Sequence, residues 1–228
     1  MGKLVLVRHG QSPWNKKQIF TGWTDVSLTG QGIEEIQLLA KKLKDIQFDA
    51  LFTSRLERAR ATLLMIAAEQ QNTAIFIHQD KQYNTMFDDK HNVPVYSHRD
   101  LNERHYGLLQ GMKKSYAREK FGEEQVHEWR RSYMVRPPQG ESLHDVYDRV
   151  VPYFEENILP LLQEDKNILI SAHGNSLRAL IKYNDKISDE DIVHLELAPG
   201  DAISYIMEDG KLTKEKGEHE FTRPMEWQ

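Results

Sequence analysis

The chain contains no cysteine. Disulfides, thiolate metal sites, iron–sulfur clusters and a cysteine nucleophile are therefore excluded. Long apolar runs are missing too. The longest, Leu63 to Ala68, is far too short to span a bilayer. The apolar stretch at the N-terminus, Leu4 to Val7, is too short for a secretion signal. These absences predict a cytoplasmic protein with no membrane partner. Basic charge is not in excess: 30 Lys and Arg face 35 Asp and Glu, a formal net charge of −5. General nucleic-acid binding is disfavoured on that balance. No internal repeat and no low-complexity segment occurs.

Several motifs are absent as well. No G-x-x-x-x-G-K-[ST] or G-x-G-x-x-G loop cradles a nucleotide, no H-E-x-x-H holds zinc and no G-x-S-x-G places a serine nucleophile. No metal site is expected. His98-Arg99-Asp100-Leu101 mimics part of a kinase catalytic loop, but position 105 is His where that loop needs Asn.

What is present is an ordinary globular composition. Of the 228 residues, 39% are hydrophobic and 29% charged, and one domain over 1–228 can bury a full core. Leu4-Val5-Leu6-Val7 and Ile168-Leu169-Ile170 read as strands buried on both faces. Further strands are predicted at Ala50 to Thr53, Ala74 to Ile77, Val93 to Tyr96 and Ala202 to Met207. Thr29 caps a predicted helix reaching about Asp45, with Ile33, Ile36, Leu39, Ala40 and Leu43 at helical spacing. Other helices are expected over Leu56 to Gln70, Lys113 to Phe121, Glu123 to Tyr133, Ser142 to near Leu162 with a kink at Pro152, and Ser176 to Tyr183. The segment from Gly10 to Gly30 reads as a long loop, and the tail from about 211 as charged and mobile. Alternation of strand and helix predicts an α/β fold with a mostly parallel sheet. Ligands in such folds bind past the carboxyl ends of the strands.

Two strand exits there are alike: Arg8-His9-Gly10-Gln11-Ser12 and Ala172-His173-Gly174-Asn175-Ser176. Each puts His-Gly-x-Ser beyond an apolar strand. For a single histidine, a satisfied or surface role is the better reading, and His78, His91, His98, His127, His144, His194 and His219 are assigned to it. The repeated context of His9 and His173 argues for a shared site. Histidine can act as a covalent nucleophile toward phosphorus, provided that cations hold the phosphoryl oxygens. Arg8 adjoins His9, and Arg58 follows the strand exit Thr53-Ser54-Arg55-Leu56. Arg104, Lys114, Arg130 and Arg131 add further positive charge.

Arg8-His9-Gly10-Gln11-Ser12-Pro13-Trp14-Asn15 resembles the phosphohistidine motif R-H-G-x-[ST]-x-x-N of the histidine phosphatase superfamily. Phe20 to Asp25, the block Glu103-Arg104-His105-Tyr106-Gly107, the run Trp129-Arg130-Arg131-Ser132-Tyr133 and His173 to Leu180 narrow the resemblance to 2,3-bisphosphoglycerate-dependent phosphoglycerate mutases. It covers nearly the whole chain. It implies a three-layer sandwich, with a mostly parallel central sheet flanked by helices. It implies interconversion of 3-phosphoglycerate and 2-phosphoglycerate, in glycolysis and gluconeogenesis, through a phosphohistidine and a 2,3-bisphosphoglycerate intermediate. That bisphosphate is also the priming cofactor. His9 would be the nucleophile, Arg8, Arg58 and His173 would surround the transferring group, and Glu103 would be the acid/base. The substrate site would comprise Arg8, Gly10, Gln11, Ser12, Asn15, Thr21, Gly22, Arg58, Glu103, Arg104, His105, Tyr106, Lys114, Arg130, Arg131, Gly174 and Asn175. The partners implied are small phosphoglycerates and, for a family of oligomers, further copies of the chain in a homodimer or higher assembly.

Three features depart from the family pattern. The loop between Pro138 and Glu141 is short, the stretch 68–99 is long, and the residues Phe221 to Gln228 match nothing in it. A phosphatase of the same chemistry acting on a small phosphorylated metabolite is the alternative. A binding protein on this fold comes third.

Overall fold

The computed structural model describes residues 1–77 and 92–215. Seven strands form one sheet: β1 (Lys3–Arg8), β2 (Ala50–Thr53), β3 (Thr73–Ile77), β4 (Asn92–Ser97), β5 (Ile168–Ala172), β6 (Ala202–Glu208) and β7 (Lys211–Lys214). Their order is β3-β4-β2-β5-β1-β6-β7. The first five of these pair in parallel; β6 runs antiparallel to β1, and β7 antiparallel to β6.

The apolar strands divide their side chains between two cores, since successive residues point to opposite faces. Val5, Val7, Leu51 and Leu169 pack with Ile36, Leu39, Leu63 and Ile66 of helices α2 (Gly30–Leu43) and α3 (Glu57–Glu69). Leu4, Leu6, Phe52, Ile168 and Ile170 pack on the opposite face against α6 (Leu143–Asn157) and α8 (Gly174–Asp185). Helices on both faces make three layers, as expected. A smaller cluster of Phe20, Leu109, Ala117, Val126 and Trp129 ties α4 (Lys114–Phe121) and α5 (Glu123–Arg131) to the loops before them.

The structure differs from the sequence reading in three places. The expected long loop after β1 contains a short helix, α1 (Pro13–Lys16), whose turn is closed by reciprocal bonds between Ser12 and Asn15. The long helix continues past Pro152 and ends at Asn157, short of Leu162; after Ile158, α7 (Leu159–Gln163) carries Pro160 in its first turn. Pro160 stands in the first turn of α7, where a missing N–H costs no helix bond. The charged tail starts as strand β7, because Tyr205, Ile206, Met207 and Glu208 offer it pairing partners. His78, His91, His219, the middle of the 68–99 stretch and the residues Phe221 to Gln228 lie outside the described residues.

Candidate active site

Register decides the site. Arg8 pairs with Ala172 across β1 and β5, so the residues that follow, His9 and His173, leave the sheet side by side. His9 N–H donates to Ala172 O at 3.0 Å. The two imidazole rings lie 5.0 Å apart, centre to centre, tilted by 60°.

Both histidines are almost wholly buried. Burial, then the charge of Arg58, holds each well below the usual imidazole range; Arg8 adds to this for both, and each ring is therefore neutral at pH 7. The His9 Nδ1–H donates to Gly10 O at 2.7 Å. That leaves the lone pair on Nε2, which accepts from Arg58 Nε at 3.3 Å. Gly10 is required at this turn: a Cβ would stand 2.5 Å from Gly32 O. Ser54, fully buried, has its Oγ 2.7 Å from His173 Nε2.

Arg58 is anchored from behind. Its Nη2 donates to Gly22 O at 2.8 Å and its Nη1 to Thr24 O at 3.1 Å. Arg8 donates to Leu197 O and lies against Gly174. Glu103 lies near enough for its charge to act on Arg58. Its Oε1 accepts from Arg104 N at 2.8 Å, Asn175 N at 3.1 Å and Asn175 Nδ2 at 2.9 Å. The Asn175 amide also reaches Tyr106 Oη at 3.3 Å, and Arg104 stacks over the Tyr106 ring at 4.6 Å. Burial beside Arg130, Arg8 and Arg131 lowers Lys114 to about 8. The cluster is thus cationic and fitted with spare donors. Arg8 Nε, Arg104 Nε and Nη1 and His173 Nδ1 are buried with no partner among the described residues. Buried N–H groups without acceptors suit an anionic ligand with several oxygens.

The other expected site residues are placed less directly. Ser12 and Asn15 cap α1, and Gln11 accepts through its main chain from Thr29. Thr21 bonds back to Ile19 O, and Arg131 pairs with Glu196 at 3.3 Å. His105 packs edge-on against Trp23 at 5.4 Å, with its Nδ1 accepting from Gly107 N. Ser54, Thr62, Glu141, Arg149 and Arg178 were not expected there. Thr62 accepts from Gly10 N at 3.2 Å, and Arg178 donates to Asn175 Oδ1 at 3.0 Å. Ser54 had a signal, since it follows β2 as His9 follows β1. Arg149 had none, because a charge on an amphipathic helix reads as solvated. Among the described residues no group of three or more histidines and carboxylates is placed to hold a metal ion. Among them, too, no helix is long and apolar enough to cross a membrane.

The chain belongs to the histidine phosphatase superfamily, branch 1, whose family model matches residues 4–84 and 81–216. Within it the chain belongs with the 2,3-bisphosphoglycerate-dependent phosphoglycerate mutases. A protein of that name from Methanosarcina acetivorans is 43% identical, the match covering 96% of each chain. Another, from Chlamydia caviae, is 47% identical over 90% of this chain and 94% of its own. Among solved structures, one titled mycobacterial hydrolase 1 superposes with a TM-score of 0.77 over 95% of this chain and 98% of its own. At 20% identity that likeness speaks for the fold alone.

Proposed function

We propose that this protein interconverts 3-phosphoglycerate and 2-phosphoglycerate by carrying a phosphoryl group on His9. One arrangement carries the reading. A neutral imidazole presents its lone pair beside Arg58, while Glu103 is held on Asn175, two residues past His173. Mutases 43% and 47% identical to this chain support the choice of substrate.

His9 Nε2 attacks phosphorus, forming the N–P bond as the P–O bond to the departing oxygen breaks. Arg8, Arg58 and the His173 Nδ1–H hold the equatorial oxygens, which carry most of the charge in such transition states. The reverse step transfers the group from His9 to a substrate hydroxyl, whose proton passes to Glu103. When the other phosphate returns to His9, Glu103 gives that proton to the leaving oxygen. Arg104, Lys114, Arg130 and Arg131 bind the carboxylate and the second phosphate. The unpartnered N–H groups of Arg8 and Arg104 fit 2,3-bisphosphoglycerate, which supplies the priming phosphate when bound. The same reading makes the protein a cytoplasmic homo-oligomer, to be checked by fractionation and light scattering.

A coupled assay with 3-phosphoglycerate tests it. Formation of 2-phosphoglycerate, stimulated by added 2,3-bisphosphoglycerate, is the expected result. Release of inorganic phosphate without the isomer would replace it with the phosphatase reading.

A further inference from the structure

Arg149 lies on α6, a helix whose charged residues would ordinarily face water. Its guanidinium has five N–H donors, and the structure gives each an acceptor. Nη1 donates to Asp100 O at 2.5 Å and Asn102 O at 3.1 Å. Nη2 donates to Glu103 O at 3.0 Å and Glu141 Oε2 at 2.9 Å, and Nε donates to Glu141 Oε1 at 2.8 Å. Three carbonyls of one short segment are thus gathered on one planar group. Glu141 fixes the far end of that segment, for its Oε2 accepts from His105 N at 2.7 Å and its own N–H donates to His105 O at 2.8 Å. Trp23 Nε1 donates to Glu103 O as well, at 2.5 Å.

We propose that Arg149, held by Glu141, is a positioning residue that sets where the Glu103 carboxyl stands and so governs proton delivery to the substrate oxygen. The proposal rests on the acid/base role given to Glu103 above. Glu103 Oε1 receives all three of its N–H donors, and among the described residues none reaches Oε2. Oε2 is therefore the oxygen available to a substrate. Its location depends on the main chain from 100 to 105, which Arg149 and Glu141 brace. His9 and Arg58 are anchored on other carbonyls, Gly10 O, Gly22 O and Thr24 O, and Arg149 meets that stretch only through the Trp23 ring, 5.9 Å away. Loss of Arg149 should then impair proton transfer and leave attack at phosphorus intact.

Leaving-group chemistry separates the two. p-Nitrophenolate departs without a proton, whereas phenolate and the alkoxide of a phosphoglycerate need one. Arg149→Lys keeps a charge but cannot make the five bonds. The expected result is a loss of about 10- to 100-fold in kcat on 3-phosphoglycerate and in the phosphoenzyme burst from phenyl phosphate, with KM within about twofold. The p-nitrophenolate burst should stay within about twofold of the wild type. Equal losses on all three substrates, or no loss on any, would overturn the proposal. Glu141→Gln, which preserves shape, should show the same selectivity more weakly and serves if the lysine variant fails to fold. If the wild type does not isomerise phosphoglycerate, the mutase reading falls, while the ratio of phenyl to p-nitrophenyl bursts still reports on Arg149.

Discussion

Arg58 Nε donates to His9 Nε2 at 3.3 Å, so a guanidinium already stands beside the lone pair that would meet phosphorus. The lone pair and its cation are arranged before any ligand arrives, and preorganisation of this kind is a large part of phosphoryl-transfer catalysis.

His9→Ala removes the nucleophile and, with it, the side-chain contacts to Gly10 O, Arg58 and His173. Turnover should fall by at least about 10⁴-fold, with stability changed by about 1 kcal/mol. Acid-labile phosphoenzyme and thermal unfolding measure the two. Turnover persisting in the variant would dismiss His9 as the carrier.

Low pH should destabilise the protein through its two site histidines. Folding lowers both from the ordinary 6.5, so below that value the unfolded chain binds more protons than the native one. Stability is therefore complete above about pH 6.5 and is lost as pH falls beneath it, by up to about 1.4 kcal/mol per pH unit for each histidine. Urea titrations between pH 5 and 7.5 would check this. His9→Asn should flatten the slope, and a slope that it leaves untouched would contradict the assignment.

Alkaline pH should weaken substrate capture through Lys114, which burial, then the neighbouring cations, lower to about 8. As pH rises through that value the ammonium loses its proton and its attraction for phosphate. The quantity affected is kcat/KM, which follows the free enzyme. Lys114→Arg, permanently charged, should move that limb upward by a unit or more; an unmoved limb would point to another group.

Gly107→Ala should be costly although it removes no reacting group. Gly107 has φ +56°, and a Cβ there would meet Pro138 O at 2.0 Å and Gln139 C at 2.6 Å. Strain and overpacking together should cost about 2–5 kcal/mol, read by calorimetry. Because Leu108 N donates to Pro138 O in the same contact, activity should drop with stability. A neutral outcome would show that the short 138–141 loop yields easily.

Much of the molecule was legible in its residues. Apolar, β-branched runs gave β1 and β5 as strands buried on both faces, because no polar residue interrupts them. Helical spacing and a Thr29 cap gave α2 to within a turn. The pairing of His9 with His173 was inferred from two like strand exits, and Arg58 from its place after a third. Strand β7 was hidden, because a charged edge strand reads as solvated chain until a partner is known to lie beside it.

The sequence by itself determined the chemistry available: no thiol, two His-Gly turns after apolar strands, and arginines close to strand exits. Local patterns of this kind follow from spacing, which the linear order contains. Tertiary structure alone decided how that chemistry is aimed. The β1–β5 register puts two imidazoles 5.0 Å apart, and Gly22 O and Thr24 O hold Arg58 beside them. Arg149 turns inward to three carbonyls from a helix far along the chain. None of this has a local cause. Each depends on main-chain groups brought together over long sequence separations, and any carbonyl looks the same in a sequence whatever will be folded against it.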